Sequence, residues 1–320
     1  MKAIVYKEKN KVALENIPAP EITGKGAIIK VKGCGLCGSD IVKLKQGLVK
    51  EGTVLGHEVV GIIDKIKGNK NFQVGDRVVL GHHVPCFQCV YCKNANYSMC
   101  AQFKETNIIP GGFAEYIYVS EKHLENTVFK VPGSLFDEEA SFTEPIACCL
   151  RAIKRSGVRE GNNVQVVGLG SIGLIMAQLL KCCGANVTGS DLIMERLELA
   201  KQFGINIGSI KQADKVFLTA GSNATIDIAL KSVRDGGTIL VFASVPSDVL
   251  GFPNNEVYYR ELTILSSYSS SPMDLEESLE LIEKKIIKVD KLCTTYDITD
   301  INRAIEDTCS NKIIKAYIKI

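Results

Sequence analysis

Cys86, Cys89, Cys92 and Cys100 stand in the spacing C-x2-C-x2-C-x7-C, and no other stretch so limits what the chain can become. Thiolates this close in sequence converge on one tetrahedral Zn²⁺, about 2.3 Å from each sulfur, and such a site holds together an irregular loop that no apolar core could support. Four thiolates leave no position for a substrate, so the expected metal is structural and the chemistry has to lie elsewhere. Disulfides or free thiols are the alternative reading. Against disulfides, several of the twelve cysteines sit singly or in pairs in apolar surroundings, as at Cys148-Cys149 and Cys182-Cys183, like small buried hydrophobes in a reducing compartment.

A chain of 320 residues accommodates two domains, since one domain typically takes about 100–200 residues. The 38 basic and 36 acidic side chains are mixed along the sequence and leave a net charge of +2, which argues against nucleic acid or a membrane surface as partner. The expected partner is a small molecule. The N-terminus, Met1-Lys2-Ala3-Ile4-Val5-Tyr6, lacks a signal-peptide core, and no apolar run approaches the ~20 residues that span a bilayer. A cytoplasmic protein is expected.

A second, open metal site is suggested upstream. Cys37, in Gly35-Leu36-Cys37-Gly38-Ser39-Asp40, and His57, in Leu55-Gly56-His57-Glu58, offer the thiolate and imidazole that Zn²⁺ prefers. Glu144, in Phe142-Thr143-Glu144-Pro145, is a carboxylate among apolar residues and the candidate third ligand. Glu58 can bind directly, exchange with water, or act from behind the ligands. Three protein ligands leave the vacancy that catalysis requires. His82 and His83, between the strand-like Arg77-Val78-Val79-Leu80 and the cysteine cluster, read as polar residues of a strand end and loop, with metal binding the alternative. His123 has no clustered partner.

The second half of the chain begins with a short apolar strand from Asn163 that runs into Gly168, Gly170 and Gly173 and then a helical run through Leu174, Ile175, Leu179 and Leu180. This is the context a dinucleotide fingerprint needs: a tight turn at Gly168, close approach of pyrophosphate at Gly170, helix–strand contact at Gly173, and a helix N-terminus carrying Ser171 and Ile172 that faces the phosphates. A second strand, Ala185 to Gly189, delivers Asp191 to the adenosine ribose. A carboxylate there favours NAD over NADP, whereas Arg196 keeps the phosphorylated cofactor open. Strands Lys215 to Ala220, Gly237 to Ser244 and Leu262 to Tyr268 continue the alternation expected of a parallel sheet. Leu275, Leu279, Ile282 and Ile286 form a helical stripe opened by Ser271, Pro272 and Asp274 in capping-box spacing.

Taken together, these elements closely resemble the zinc-dependent medium-chain dehydrogenases, in the branch of sorbitol (polyol) and threonine dehydrogenases. The likeness covers nearly the whole chain and rests on Gly35 to Asp40, Gly56-His57-Glu58, the four-cysteine lobe, Gly111-Gly112-Phe113-Ala114-Glu115-Tyr116, Glu144-Pro145 and the glycine fingerprint. It implies an α/β protein with a GroES-like, mostly β catalytic domain (residues 1–150, completed by 287–320) and a doubly wound Rossmann NAD-binding domain (151–286), packed around a cleft. It further implies two zinc ions per chain, one structural and one catalytic, with Cys37, His57, Glu58 and Glu144 supplying ligands to the second and Ser39 touching the substrate oxygen. The implied activity is hydride transfer from a secondary alcohol (a polyol, a sugar alcohol or its phosphate, or an amino-alcohol) to NAD⁺, in a homodimer or homotetramer.

Three positions depart from the family pattern. Val42 replaces a proton-relaying His, Thr295-Tyr296 lacks the Arg of many polyol members, and the stretch between Asn206 and Ala213 is short. An inactive zinc- and nucleotide-binding redox sensor or scaffold is the alternative from another functional class, and a zinc-free quinone reductase a third reading. Phe103, Thr106, Ile108 and Leu44 either line a substrate pocket or belong to the core.

Overall fold

The structure, a computed structural model, describes residues 1–243 and 251–320. It divides into two compact units, one of Met1–Pro145, Ser270–Lys285 and Val289–Ile320, the other of Ile146–Ser269 and Ile286–Lys288.

In the first unit, strands lie in the order Cys293–Asp297, Lys315–Lys319, Gly26–Gly35, Glu58–Lys67, Arg77–Leu80, Val128–Lys130, with Tyr116–Ser120 also paired to Gly26–Gly35. β-branched residues supply much of the strand interior, as suits a pleated, packed surface; Ile29, Ile63, Val78, Ile117 and Ile318 all lie in one buried cluster. Register matters most at one end of this sheet. Gly35 pairs with Glu58 on one side and with Tyr317 on the other, so three strand ends meet where Cys37, His57 and Lys315 enter or leave the sheet. Immediately after Cys37 the chain turns into the helix Gly38–Gln46, where Asp40 closes the first turn by accepting from the Cys37 N–H, and Gly47 ends it at φ 71°.

The second unit is built on six parallel strands in the order Asn206–Ile207, Asn186–Ser190, Asn163–Val167, Ala213–Leu218, Val233–Val241, Thr263–Ser266. Numbered along the chain this is 3-2-1-4-5-6, the dinucleotide-binding order, with its switch point beside the first strand. Val164, Val166, Val216 and Phe217 are fully buried, which explains the near-continuous apolar runs. Ser244, the expected end of the fifth strand, lies outside the described residues.

The boundaries differ from the 1–150 and 151–286 division. The helix Pro272–Glu283 belongs to the first unit, because Ser278 donates to the Thr143 carbonyl at 2.8 Å and Leu275 fills the space beside Gly81. Ser271 accepts from the Asp274 N–H at 3.2 Å, so the expected capping box forms. Ile286, by contrast, lies beyond the helix and is 45% exposed, since the chain leaves the helical conformation at Lys285, φ 54°.

Candidate zinc centre and nucleotide loop

The four-cysteine lobe closes on itself. Cys92 Sγ lies 3.9 Å from Cys86 Sγ and 3.6 Å from Cys89 Sγ, close to the edge of about 3.8 Å that four ~2.3 Å zinc–sulfur bonds require. All four cysteines are free thiols, so the disulfide alternative is not what the lobe adopts. The Gln88 and Cys89 N–H groups point at Cys86 and draw its thiol down to about 6, whereas burial pushes Cys92 up to about 12. A cation among the sulfurs removes that conflict by favouring the thiolate at every position. The donor set therefore fits zinc.

Cys37, His57 and Glu58 form the second group, with one ligand atom from each lying within 4.8 Å of the others. Glu144 is not among these three. That residue is also buried, in the first turn of the helix Thr143–Ser156, where the positive end of the helix dipole favours a carboxylate. The centre thus presents one thiolate, one imidazole and one carboxylate, fewer than a closed structural site uses.

Asp40, not among the candidate ligands, ties this group together. Its carboxylate accepts from the N–H groups of Cys37 and Gly56 at 3.3 and 3.4 Å and lies 3.4 Å from His57 Nδ1. Such a carboxylate fixes the ring and leaves Nε2 for a metal. Burial alone lowers the pKa of His57, but the charges of Asp40 and Cys37 outweigh it and hold the ring well above its usual value. Burial likewise opposes the charge on Asp40, and His57 reverses that, so its carboxyl falls below the usual range. One local signal points to it, since an acidic residue at the third helical position caps a helix.

Lys315 is a second participant outside the candidate set. Its ammonium lies 2.5 Å from Glu58 Oε2, with the two side chains 5% and 1% exposed. Neither Glu58 oxygen has a well-aligned hydrogen bond among the described residues, which leaves acceptor capacity for a metal. Burial disfavours the lysine's charge, but Glu58 and Cys37 more than offset this and raise its pKa. The pair exists because Gly35 has no side chain: a Cβ there would lie 2.0 Å from Glu58 Oε2.

His82 and His83 lie in the loop after the strand Arg77–Leu80, as expected, and their rings adjoin the ligand group. The rings of His57 and His82 are 4.8 Å apart, those of His82 and His83 4.0 Å, and those of His83 and Phe103 4.8 Å. His83 Nδ1 is bound to the Thr106 carbonyl. His123 spends Nδ1 on Ser120 Oγ and Nε2 on the His82 carbonyl. Ser39, one residue before Asp40, is half-buried on the first turn after Cys37. Phe103, Ile108 and Leu44 are core residues, at 3%, 1% and 4% exposure.

In the second unit, Gly168 takes φ +95°, and a Cβ on Gly173 would lie 1.8 Å from the Gly168 carbonyl, so both glycines are required by geometry. Gly170 precedes the helix Ser171–Cys182, on which Ser171 and Ile172 are the first residues. Among the described residues Ser171 Oγ is buried without a hydrogen-bond partner, as a hydroxyl that receives a phosphate oxygen would be. Asp191 accepts from Leu169 N at 2.6 Å and Ile193 N at 2.9 Å, with Arg196 Nη1 at 3.5 Å. These residues fit a dinucleotide.

Comparison with known proteins agrees. Residues 24–133 match the alcohol dehydrogenase GroES-like domain and residues 171–284 the zinc-binding dehydrogenase domain. Sorbitol dehydrogenase of Bacillus subtilis (strain 168) is 32% identical over 287 residues, 80% of each chain. Among solved structures, the alcohol dehydrogenase TADH from Thermus sp. ATN1 superposes with a TM-score of 0.90 at 25% identity, covering 100% of both chains. Acetophenone reductase from Geotrichum candidum NBRC 4597, in complex with NAD, gives 0.89 at 25% identity over 100% of this chain and 97% of that one.

Proposed function

The chain belongs to the zinc-binding alcohol dehydrogenases, and on that premise we propose that it oxidises a secondary alcohol bearing further hydroxyl groups, a polyol or sugar alcohol, with NAD⁺ as hydride acceptor. The observation that carries this reading is the convergence of Cys37, His57 and Glu58 into a group of three ligands, one fewer than the four that a closed zinc site uses.

In this mechanism Cys37, His57 and Glu58 would hold the catalytic ion, with Asp40 orienting His57 and Lys315 paired with Glu58 in its buried position. Glu144 is the alternative carboxylate ligand, available should Glu58 remain with Lys315. Zinc, when bound, supplies the Lewis acidity that brings an alcohol's pKa towards neutrality, and the nicotinamide supplies the hydride acceptor. Ser39 Oγ receives the hydroxyl proton and passes it towards solvent, since Val42 offers no relay. The N-terminus of Ser171–Cys182, with the Ser171 hydroxyl, holds the pyrophosphate, and Asp191 with Arg196 holds the adenosine ribose. The four-cysteine lobe would carry a second, structural zinc.

We extend the reading to a cytoplasmic homo-oligomer, a dimer or tetramer, acting on a small molecule. All twelve cysteines are free, which suits a reducing compartment. No helix among the described residues is long and apolar enough to cross a membrane. The test is NADH formation by zinc-loaded protein with a panel of polyols, sugar phosphates and amino-alcohols. Turnover of the polyols is expected; an enzyme silent on every alcohol would contradict the proposal and favour the sensor or scaffold.

A further inference from the structure

The chain has four histidines, and the structure accounts for three. His57 belongs to the ligand group, His83 is committed to the Thr106 carbonyl, and both His123 nitrogens are bonded. His82 is different. Its backbone carbonyl accepts from His123, and its ring is held between His57 and His83 at 4.8 and 4.0 Å. Yet no hydrogen bond to either ring nitrogen is found among the described residues, and the side chain is half-buried. A polar group so firmly placed, with its hydrogen-bonding capacity unspent, is arranged for a ligand rather than for the fold.

Its position says which ligand. His82 does not join the group of ligand atoms within 4.8 Å of one another, so it is no fourth protein ligand. Its ring nonetheless lies 4.8 Å from that of His57, a member of the ligand group, tilted by 43°. A molecule bound at the ligand group therefore has the His82 ring, beside His57, as a neighbour. A neutral imidazole offers one donor and one acceptor, the same complement as a hydroxyl group. We propose that His82 is the specificity-determining residue of this site, binding the hydroxyl on the carbon next to the one oxidised, so that the enzyme selects vicinal diols over monohydric secondary alcohols.

This inference rests on the dehydrogenase reading, and the test separates the two. Butane-2,3-diol and butan-2-ol differ at the reacting end by one vicinal hydroxyl, so kcat/KM for both is measured on zinc-loaded wild type, His82→Phe and His82→Gln. His82→Phe keeps a ring against His57 without nitrogens, and His82→Gln restores a donor and an acceptor. The expected result is a loss of about tenfold or more on the diol in His82→Phe, with less than about threefold change on butan-2-ol and partial recovery in His82→Gln. A binding readout accompanies it: saturating diol raises the Tm of wild type but not of His82→Phe, while zinc per chain is the same in both. Equal losses on the two alcohols, no loss on either, or a diol-induced Tm shift that survives in His82→Phe would overturn the role of His82 alone. A wild type that oxidises neither alcohol would overturn the dehydrogenase reading and this inference with it.

Discussion

The two metal sites of the first unit use similar atoms in opposite ways. In the cysteine lobe four identical ligands come from fewer than twenty consecutive residues and enclose their centre, with Phe103 and Tyr97 packed around the sulfurs. In the second site three different ligands come from two stretches of chain, and they are supported by a cation from a third, Lys315. The first arrangement makes stability. The second makes a place where something else can bind, and it depends on buried charges that hold one another in position.

That contrast predicts separable consequences. Cys37→Ala should have the largest effect: kcat falling by about a thousandfold or more, as when an essential electrostatic group is removed, while one zinc per chain and most of the thermal stability remain. Loss of both metals in this variant would show that the sites are not independent. Next in size, Lys315→Met leaves Glu58 buried without its partner and should destabilise the metal-free protein by about 3–5 kcal/mol. Zinc supplies a replacement charge, so the penalty measured by denaturant unfolding should shrink in the loaded enzyme. An equal penalty in both forms would mean that Glu58 does not face the metal, and would move the ligand role to Glu144. The smallest effect is expected for Asp40→Asn, which should weaken zinc at the open site by about 10–100-fold without changing metal retention in the lobe. Competition with a chromogenic chelator reads the two affinities separately.

The same contrast explains how much of the molecule is legible in its amino-acid sequence. The lobe is legible because all of its ligands are local and alike, and the glycine loop because strand, glycines and helix are contiguous. Cys37 and His57 stand out as ligand types, and the strand register at Gly35 brings the two sequence segments together. Lys315 is not legible: it lies 279 residues from Leu36, whose carbonyl it approaches, and a lysine in the strand Lys315–Lys319 looks like an ordinary solvated residue. Glu144 stands out by its apolar neighbours, but burial alone does not distinguish a metal ligand from a carboxylate at a helix N-terminus. His82 and His83 look alike in the sequence, and only hydrogen bonding separates them. That the helix Pro272–Glu283 packs with the first compact unit is not legible either, because the polar contact from Ser278 to Thr143 has no local signature.

The central claim is a closed and an open zinc site in one chain, and metal analysis during staged chelation tests it most directly. Two zinc ions per chain are expected, the first removed with complete loss of NADH formation but a folded lobe, the second only with unfolding of the lobe. A single zinc per fully active chain, or two that leave together, would contradict it.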